Sequence, residues 1–138
     1  CRRNLPVPPP VAARVCRQGM RYTADIITVY LADTKSFESI ILNGTAVLEQ
    51  WSQVGRTLRQ FHDHGVNHTD LNIRNILLDE NEKVFLIDFD KGEFRQSGSW
   101  RNSNLRRLKR SLRKLELETG TTFDAKGWQA LERGYESA

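Results

Sequence analysis

Three residues in the middle of the chain have the types and the spacing for chemistry on an activated phosphate. Asp70 is followed by Asn75 after five residues and by Asp88 after 18. A carboxylate beside a hydroxyl group can accept its proton, so Asp70 is a candidate general base. Amide and carboxylate oxygens are ligands that Mg²⁺ accepts, which makes Asn75 and Asp88 a candidate metal pair. Phosphoryl transfer needs this combination, because it depends on positioning and charge neutralisation more than on covalent catalysis by the protein.

The residues around Asp70 strengthen this interpretation. His68, Asp70, Leu71 and Asn75 match the kinase catalytic-loop pattern H-x-D-L-x-x-x-N, and Asp88 opens an Asp-Phe dipeptide at the end of an apolar run. We interpret His68 as structural support that braces the loop. Taken singly, each polar residue has a simpler explanation as a turn, capping or core residue. Their joint spacing favours the catalytic interpretation.

The elements that must position these residues follow from hydrophobic periodicity. Residues 5–10 are proline-rich and predict an extended connector, and residues 20–31 predict a strand. Apolar residues at helical spacing predict a helix from about Thr45 to His64. Residues 76–78 and 84–87 predict a hairpin, and residues 98–104 a polar break. Two further helices are expected, one around Leu105 to Leu115 and a short one around Trp128 to Tyr135.

Composition limits the class of protein. The chain has 138 residues, of which 38% are hydrophobic and 28% charged, and this favours one soluble globular domain. No apolar run approaches the length of a transmembrane helix. The chain begins with Cys1 and its only methionine is Met20, so we expect that an N-terminal portion precedes it. We interpret Cys1 and Cys16 as unpaired thiols.

Charge placement suggests one further site, and histidine placement argues against another. The net charge of +4 comes from a local patch, since residues 101–114 hold seven basic residues and no acidic one. We interpret His62 and His64 as belonging to a solvated helix end, because alternate residues on a helix point to different faces. We therefore assign no metal site to them.

The sequence resembles a specific kinase-like family. Residues 22–28, 69–79 and 85–92 are similar to the 3-deoxy-D-manno-octulosonic acid (Kdo) kinases of the lipopolysaccharide kinase group, as are the proline-rich lead-in and the residues from Trp128 to Tyr135. Asn72 stands where protein kinases usually carry a lysine that helps to neutralise the transferred phosphate. Asp90 replaces the glycine of their Asp-Phe-Gly motif. Both departures argue against an ordinary protein-serine kinase.

The resemblance implies an α+β fold, the mainly helical C-terminal lobe of a protein-kinase-like fold with a small β-hairpin at the active site. Residues 1–33 would form the end of an N-terminal lobe and the hinge, and residues 34–138 the catalytic lobe. No Gly-rich loop occurs and the N-terminal lobe is largely absent, so we expect the isolated chain to be inactive. Adenine would rest on the hinge near Val29, Tyr30 and Leu31.

The resemblance also implies the reaction and its partners. The γ-phosphate of ATP would pass to the 4-hydroxyl of Kdo on a lipid A precursor, at the cytoplasmic face of the bacterial inner membrane. Asp70 would act as the base, Asn75 and Asp88 would bind Mg²⁺, and His68 and Asn72 would support the loop.

The basic helix has two interpretations that the sequence leaves open. Its cations lie opposite the leucines at helical spacing, so it is either a solvated face or a contact for an anionic membrane surface or an acidic substrate. The residues concerned are Arg106, Arg107, Arg110 and Arg113. No aromatic residues interleave with these cations, so we expect no nucleic-acid partner.

Three alternative functions also remain open. An aminoglycoside- or choline-type kinase has the same loop, and an atypical protein kinase would be indicated by autophosphorylation. A non-catalytic kinase-like module would bind nucleotide without transfer.

Overall fold

The computed structural model describes residues 5–138, although for Gln18 and residues 21–25 it describes the backbone alone. Cys1 and the start of the expected N-terminal lobe segment lie outside this range. Helices and small sheets are mixed within it, which confirms the α+β class. The strands are β1 (Pro10–Gln18), β2 (Arg21–Thr28), β3 (Lys35–Ser36), β4 (Val66–Asn67), β5 (Ile76–Leu78), β6 (Val84–Leu86) and β7 (Glu93–Phe94). The helices are α1 (Phe37–Leu42), α2 (Leu48–Asp63), α3 (Trp100–Thr119) and α4 (Ala125–Ser137).

The N-terminal part of the described range is an antiparallel hairpin of β1 and β2. The strand expected over residues 20–31 is confirmed only up to Thr28. Its partner β1 was not predicted, because the prolines before it indicate a connector. The backbone N–H of Val29 donates to the carbonyl of Pro9 at 2.8 Å, and this bond closes the open end of the hairpin.

Helix α2 is the centre of the hydrophobic core, and its prediction is confirmed to within three residues at each end. Val54, Leu58 and Phe61 on one face are at most 2% exposed. The backbones of α2 and α4 approach closely at two glycines: a Cβ on Gly55 would overlap the carbonyl oxygen of Leu131, and one on Gly134 would overlap that of Ser52. Glycine at these positions allows the two helices to pack backbone to backbone.

A short helix, α1, lies between the first expected strand and the helix expected from Thr45, in a segment for which no element was predicted. The hydroxyl of Ser36 accepts from the backbone N–H of Ser39 at 3.1 Å and caps the helix. Phe37, Ile40 and Ile41 are buried. Six residues are too few to show a 3.6-residue period in the sequence, which is why the helix was missed.

The predicted hairpin near the site is confirmed. Strands β5 and β6 pair with Ile76 opposite Leu86, and β3 adds to the other edge of β5. The N–H of Leu86 donates to the carbonyl of Pro6 at 3.1 Å, so the proline-rich lead-in lies against β6.

Helix α3 begins earlier than predicted. Residues 98–104 are not a break throughout, since the helix starts at Trp100 and a turn later buries Asn104 in line with Leu108, Leu112 and Leu115. Because Asn104 is polar although it is buried, the pattern of hydrophobic residues did not indicate the first turn of α3. Helix α4 has 13 residues and is longer than the short helix that was expected.

His62 corrects one prediction. It is 1% exposed rather than part of a solvated helix end, although Asp63 and His64 are exposed. Its Nδ1 lies 2.7 Å from the hydroxyl of Tyr135, and its ring packs edge-on against Trp100. Burial lowers the pKa of His62 from 6.5 to about 4.

Among the described residues, no helix combines the length and the apolar character that a membrane span requires. Cys16, the described cysteine, is a free thiol.

Candidate active site

The loop between β4 and β5 carries Asp70 on a backbone that its own side chains hold in place. The carbonyl of Asp70 accepts from the amide Nδ2 of Asn72 at 3.0 Å and from Nδ2 of Asn75 at 3.1 Å. The N–H of Leu71, whose side chain is fully buried, donates to the carbonyl of His68 at 3.2 Å. The Asp70 residue itself remains exposed, so its carboxylate is accessible on a fixed backbone.

Asn75 links this loop to the strand end before Asp88. It is 8% exposed, and its backbone carbonyl accepts from the N–H of Ile87 at 3.0 Å. Because Nδ2 of Asn75 is committed to Asp70, its Oδ1 is the side-chain atom left for a ligand. This backbone hydrogen bond therefore joins Asn75 to the residue that directly precedes Asp88, the other member of the candidate metal pair.

His68 makes the second link to the same strand end. Its Nε2 lies 2.8 Å from the carbonyl oxygen of Ile87, so Nε2 carries the proton and donates. Its ring packs against Phe89 with the centroids 4.4 Å apart. Burial lowers the pKa of His68 below 6.5, while the Ile87 carbonyl and the charges of Asp88 and Asp70 oppose that change. The imidazole is therefore neutral at pH 7 and lies within electrostatic range of both carboxylates.

Asp88 sits at the end of the hairpin in a left-handed backbone conformation. Its φ angle is +63°, a region that residues other than glycine adopt at a cost, and its side chain is exposed. The next residue, Phe89, stacks on Phe61 of α2 with centroids 5.6 Å apart, and its carbonyl accepts from the N–H of Gly92. This packing stabilises the turn, which leaves the carboxylate of Asp88 at the surface beside the loop.

Asn72 begins a single 3₁₀ turn over Ile73–Asn75 that docks the loop on α3. The side-chain oxygen of Asn72 accepts from the N–H of Arg74 at 2.9 Å. The N–H of Ile73 donates to the hydroxyl of Ser111 at 3.1 Å, and that hydroxyl donates to the carbonyl of Leu108. Both ends of the Asn72 side-chain amide therefore bond to the loop backbone: its oxygen accepts from Arg74, and its Nδ2 donates to Asp70.

Several residues that support the site were missed by sequence reasoning. Asn67 in β4 is 5% exposed; its Nδ2 donates to Glu93 at 2.9 Å, and its Oδ1 accepts from Asn104 of α3 at 2.7 Å. The hydroxyl of Thr69 donates to the carbonyl of Lys91 at 2.7 Å. These contacts fasten the segment after Asp88 to the loop. They join residues that are far apart in sequence, so no local spacing could indicate them.

The predicted hinge residues differ in burial. Val29 and Tyr30 are 45% and 87% exposed, whereas Leu31 is partly buried. Leu31 lines a cleft of about 450 Å³ between the proline-rich lead-in, α2 and β6. Val29, Tyr30 and the catalytic loop do not line this cleft.

The basic residues of α3 lie mostly away from the loop. Arg106, Arg107, Arg110 and Arg113 are exposed, and none of them lines the cleft of about 200 Å³ that lies between the 3₁₀ turn, α1 and α3. Arg101, counted in the same sequence patch, has a structural role: it pairs with Asp63 at 3.0 Å and donates to the carbonyl of His62. The exposed basic face of α3 therefore contains fewer cations than the basic run that the sequence shows over residues 101–114.

The donor set at the loop fits Mg²⁺. Asn75 Oδ1 and the Asp88 carboxylate are the neutral and charged oxygens that this ion takes from proteins, with phosphates and water completing its coordination. A cluster of three His, Cys, Asp or Glu residues with metal-binding geometry is not found among the side chains that the structure describes.

Comparison with known proteins identifies relatives of the whole chain. The model of the lipopolysaccharide kinase (Kdo/WaaP) family matches residues 1–135. A 3-deoxy-D-manno-octulosonic acid kinase of Vibrio cholerae serotype O1 is 43% identical over 117 residues, which cover 85% of this chain and 50% of that protein. The protein of the same name from Photobacterium profundum is 42% identical over 130 residues, covering 94% and 55%.

A more distant relative gives the same result. The 3-deoxy-D-manno-octulosonic acid kinase of Xylella fastidiosa strain 9a5c is 39% identical over 137 residues, which cover 99% of this chain and 55% of that protein. The chain therefore spans about half the length of the curated relatives it matches. The match of the family model over nearly all residues, with these identities, establishes that the chain belongs to the lipopolysaccharide kinase (Kdo/WaaP) family.

Proposed function

We propose that this chain is the catalytic lobe of a kinase that phosphorylates the 4-hydroxyl of Kdo on a lipid A precursor, with ATP as the donor. The observation that carries the proposal is the fixed Asp70 backbone, held by Asn72 and Asn75 and joined to the strand end before Asp88. Phosphoryl transfer depends on such preorganisation of charged and polar groups. The names of the relatives supply the acceptor class.

In this proposal each site residue has a defined task. Asp70 accepts the proton of the attacking hydroxyl, and His68 keeps the loop against the strand end through its bond to Ile87. Asn75 and Asp88 bind Mg²⁺, which neutralises charge on the phosphates when it is present. Asn72 maintains the loop backbone, at the sequence position where protein kinases usually carry a lysine that helps to neutralise the phosphate.

The proposed domain division assigns residues 1–33 to the end of an N-terminal lobe with its hinge, and 34–138 to the C-terminal lobe of a protein-kinase-like fold. The support is the exposure of the hairpin. Val11, Val15, Ile26 and Ile27 are each more than 60% exposed. Apolar side chains on a two-stranded hairpin favour burial against further strands. Adenine would bind near Val29, Tyr30 and Leu31 once those strands are in place, and without them we expect no transfer.

The decisive experiment is an assay of the complete gene product in which this chain occurs. We expect ATP- and Mg²⁺-dependent phosphorylation of a Kdo-bearing lipid A precursor. The Asp70→Asn variant should lose about 10²-fold or more in kcat, since a positioned general base contributes about that much. Glu80→Gln, at an exposed turn between β5 and β6, is the matched control and should retain activity.

The result also separates the competing functions. Transfer to an aminoglycoside or choline but not to Kdo would retain the kinase chemistry and reject the acceptor. Autophosphorylation on serine or threonine would favour a protein kinase. Nucleotide binding without any transfer would make the chain a non-catalytic module.

A peripheral contact with an anionic membrane at the cytoplasmic face of the inner membrane belongs to the same proposal. Arg107, Arg110 and Arg113 are exposed on α3 and pair with no carboxylate among the side chains that the structure describes. Each cation near such a surface contributes about 1 kcal/mol. Replacing Arg106, Arg107, Arg110 and Arg113 by glutamine should weaken binding to anionic vesicles by on the order of 1,000-fold. Unchanged binding would refute the contact.

A further inference from the structure

A second cleft borders the catalytic loop and has no task in the reaction described so far. It holds about 200 Å³ and lies between the 3₁₀ turn, α1 and α3. Its polar lining consists of Asn72, Arg74, Glu38, Ser111, Lys114 and Glu118. Asn72 lines the cleft and bonds to the backbone carbonyl of Asp70, so the cleft lies beside the catalytic loop. The cleft shares no residue with the proposed Mg²⁺ pair.

Arg74 projects into this cleft in a fixed orientation. Its Nε donates to both carboxylate oxygens of Glu38, at 2.9 and 3.1 Å. That pair raises the pKa of Arg74 above its ordinary value. A guanidinium has five N–H donors, and Glu38 occupies only the one on Nε. The side chain of Arg74 is 65% exposed, and its two Nη atoms form no hydrogen bond with the residues that the structure describes.

The other charges in the cleft leave room for an anion. Glu118 is 3.8 Å from Nη2 of Arg74 and 3.6 Å from Nζ of Lys114. Both distances exceed those of a formed hydrogen bond. The cleft thus holds two cations and two carboxylates, and of the carboxylates only Glu118 is loosely placed, so an incoming anion could displace it. An incoming carboxylate could bind Arg74 through two N–H groups, the geometry in which guanidinium binds planar anions most strongly.

We propose that Arg74, oriented by Glu38 and assisted by Lys114, binds the carboxylate of a sugar-acid acceptor and thereby presents a ring hydroxyl to Asp70. The inference rests on the proposed function, since the acceptor in the names of the relatives is an octulosonic acid and so carries a carboxylate. It adds a residue that selects a sugar acid over a neutral sugar of the same shape.

The test measures how Arg74 and the carboxylate depend on each other. The complete gene product is assayed with the Kdo-bearing lipid A precursor and with the same precursor carrying the methyl ester of the Kdo carboxyl group. For the wild type we expect the ester to raise the acceptor KM by on the order of 10- to 100-fold, the range for hydrogen bonds to a charged group. Arg74→Met should raise the KM of the acid similarly, leave the KM of ATP unchanged and abolish the preference for acid over ester.

Three further variants control the result. Arg74→Lys should retain part of the preference, because it keeps the charge without the bidentate geometry. Glu38→Gln should reduce the preference less than Arg74→Met does, because it loosens the guanidinium without removing it. Arg133→Met removes an exposed arginine on α4, outside the cleft, and should behave as the wild type.

The failures of the two proposals can be told apart. If the wild type transfers nothing to the precursor, the proposed function falls and this inference with it. If the wild type does transfer phosphate but Arg74→Met keeps the full preference for acid over ester, the inference alone is overturned. An equal loss for acid and ester would mean that Arg74 binds another anion, such as a lipid phosphate, or only supports the loop, and would also overturn it.

Discussion

The β1–β2 hairpin and the region from Phe37 to Leu131 are stabilised in different ways. Every buried apolar side chain of the core cluster falls within that second region, and several, such as Leu71 and Ile76, are fully buried. The described apolar side chains of the hairpin are exposed instead, with Val15 at 69% and Ile26 at 62%. The hairpin is held by its own ladder of backbone hydrogen bonds.

The difference shows where the candidate site obtains its rigidity. The residues proposed for catalysis belong to the region with the core, where Leu71 and Ile76 anchor the loop on both sides of Asp70. An isolated two-stranded hairpin is only marginally stable in water. We therefore expect substitutions in the two regions to differ strongly in their effect on the free energy of unfolding.

The largest effect is expected at the contact of α2 with α4. In Gly55→Ala the new methyl group would overlap the carbonyl oxygen of Leu131 and lie 2.8 Å from the backbone nitrogen of Tyr135. Backbone atoms cannot move aside as side chains do, so we expect a loss of about 3 kcal/mol or more in the free energy of unfolding. Urea denaturation followed by circular dichroism measures it.

Gly98→Ala is the matched control. A Cβ at Gly98 would meet Trp100 at 3.6 Å, an ordinary contact, so its stability should stay close to that of the wild type. An equally small effect at Gly55 would contradict the close packing of the two helices.

A smaller effect, about 2 kcal/mol between pH 7 and pH 5, is expected from His62. Its pKa is about 4 in the folded protein and 6.5 when unfolded, because folding buries it. Between those values the unfolded state binds more protons, so stability falls as pH decreases through this window and levels off below pH 4. Asp63 and Arg59 on its own helix and Arg101 on α3 are the charges that face it.

Comparing urea midpoints of the wild type with those of His62→Gln at pH 7 and pH 5 tests this expectation. The variant lacks the titrating group, so its midpoint should shift less between the two pH values. His64, at the exposed end of the same helix, provides the control as His64→Gln, which should retain the wild-type shift. Equal shifts in all three proteins would mean that His62 is not buried.

The smallest effect is expected in the hairpin. Replacing Ile26 and Ile27 together by threonine should change the free energy of unfolding of this chain by less than about 0.5 kcal/mol, because both side chains are exposed. Leu58→Ala in α2 should cost about 2–5 kcal/mol in the same urea experiment. The pair of threonines also tests the domain proposal: in the complete gene product it should cost more than in this chain alone. Equal costs in both would count against burial of the hairpin by a further lobe.

The site residues Asp70, Asn75 and Asp88 could be named from sequence because their chemistry depends on residue type and local spacing. The strands β5 and β6 and helix α2 were predictable for a related reason: alternation and 3.6-residue periodicity are local consequences of burying one face. Whether these residues perform the roles assigned to them remains a proposal. Their types and their elements were available from the sequence.

Other features were decided only by tertiary structure. Asn67 and Asn104 form a buried hydrogen bond across 37 residues, and His62 loses its solvent because Trp100 and Tyr135 close over it. Nothing in the sequence distinguishes Arg74 from the other basic residues. Its orientation comes from the hydrogen bond to Glu38 of α1. Residue types and local patterns indicate which side chains could do chemistry and which short segments form helices or strands. Packing between distant segments controls which polar groups are buried together, because those contacts leave no local pattern.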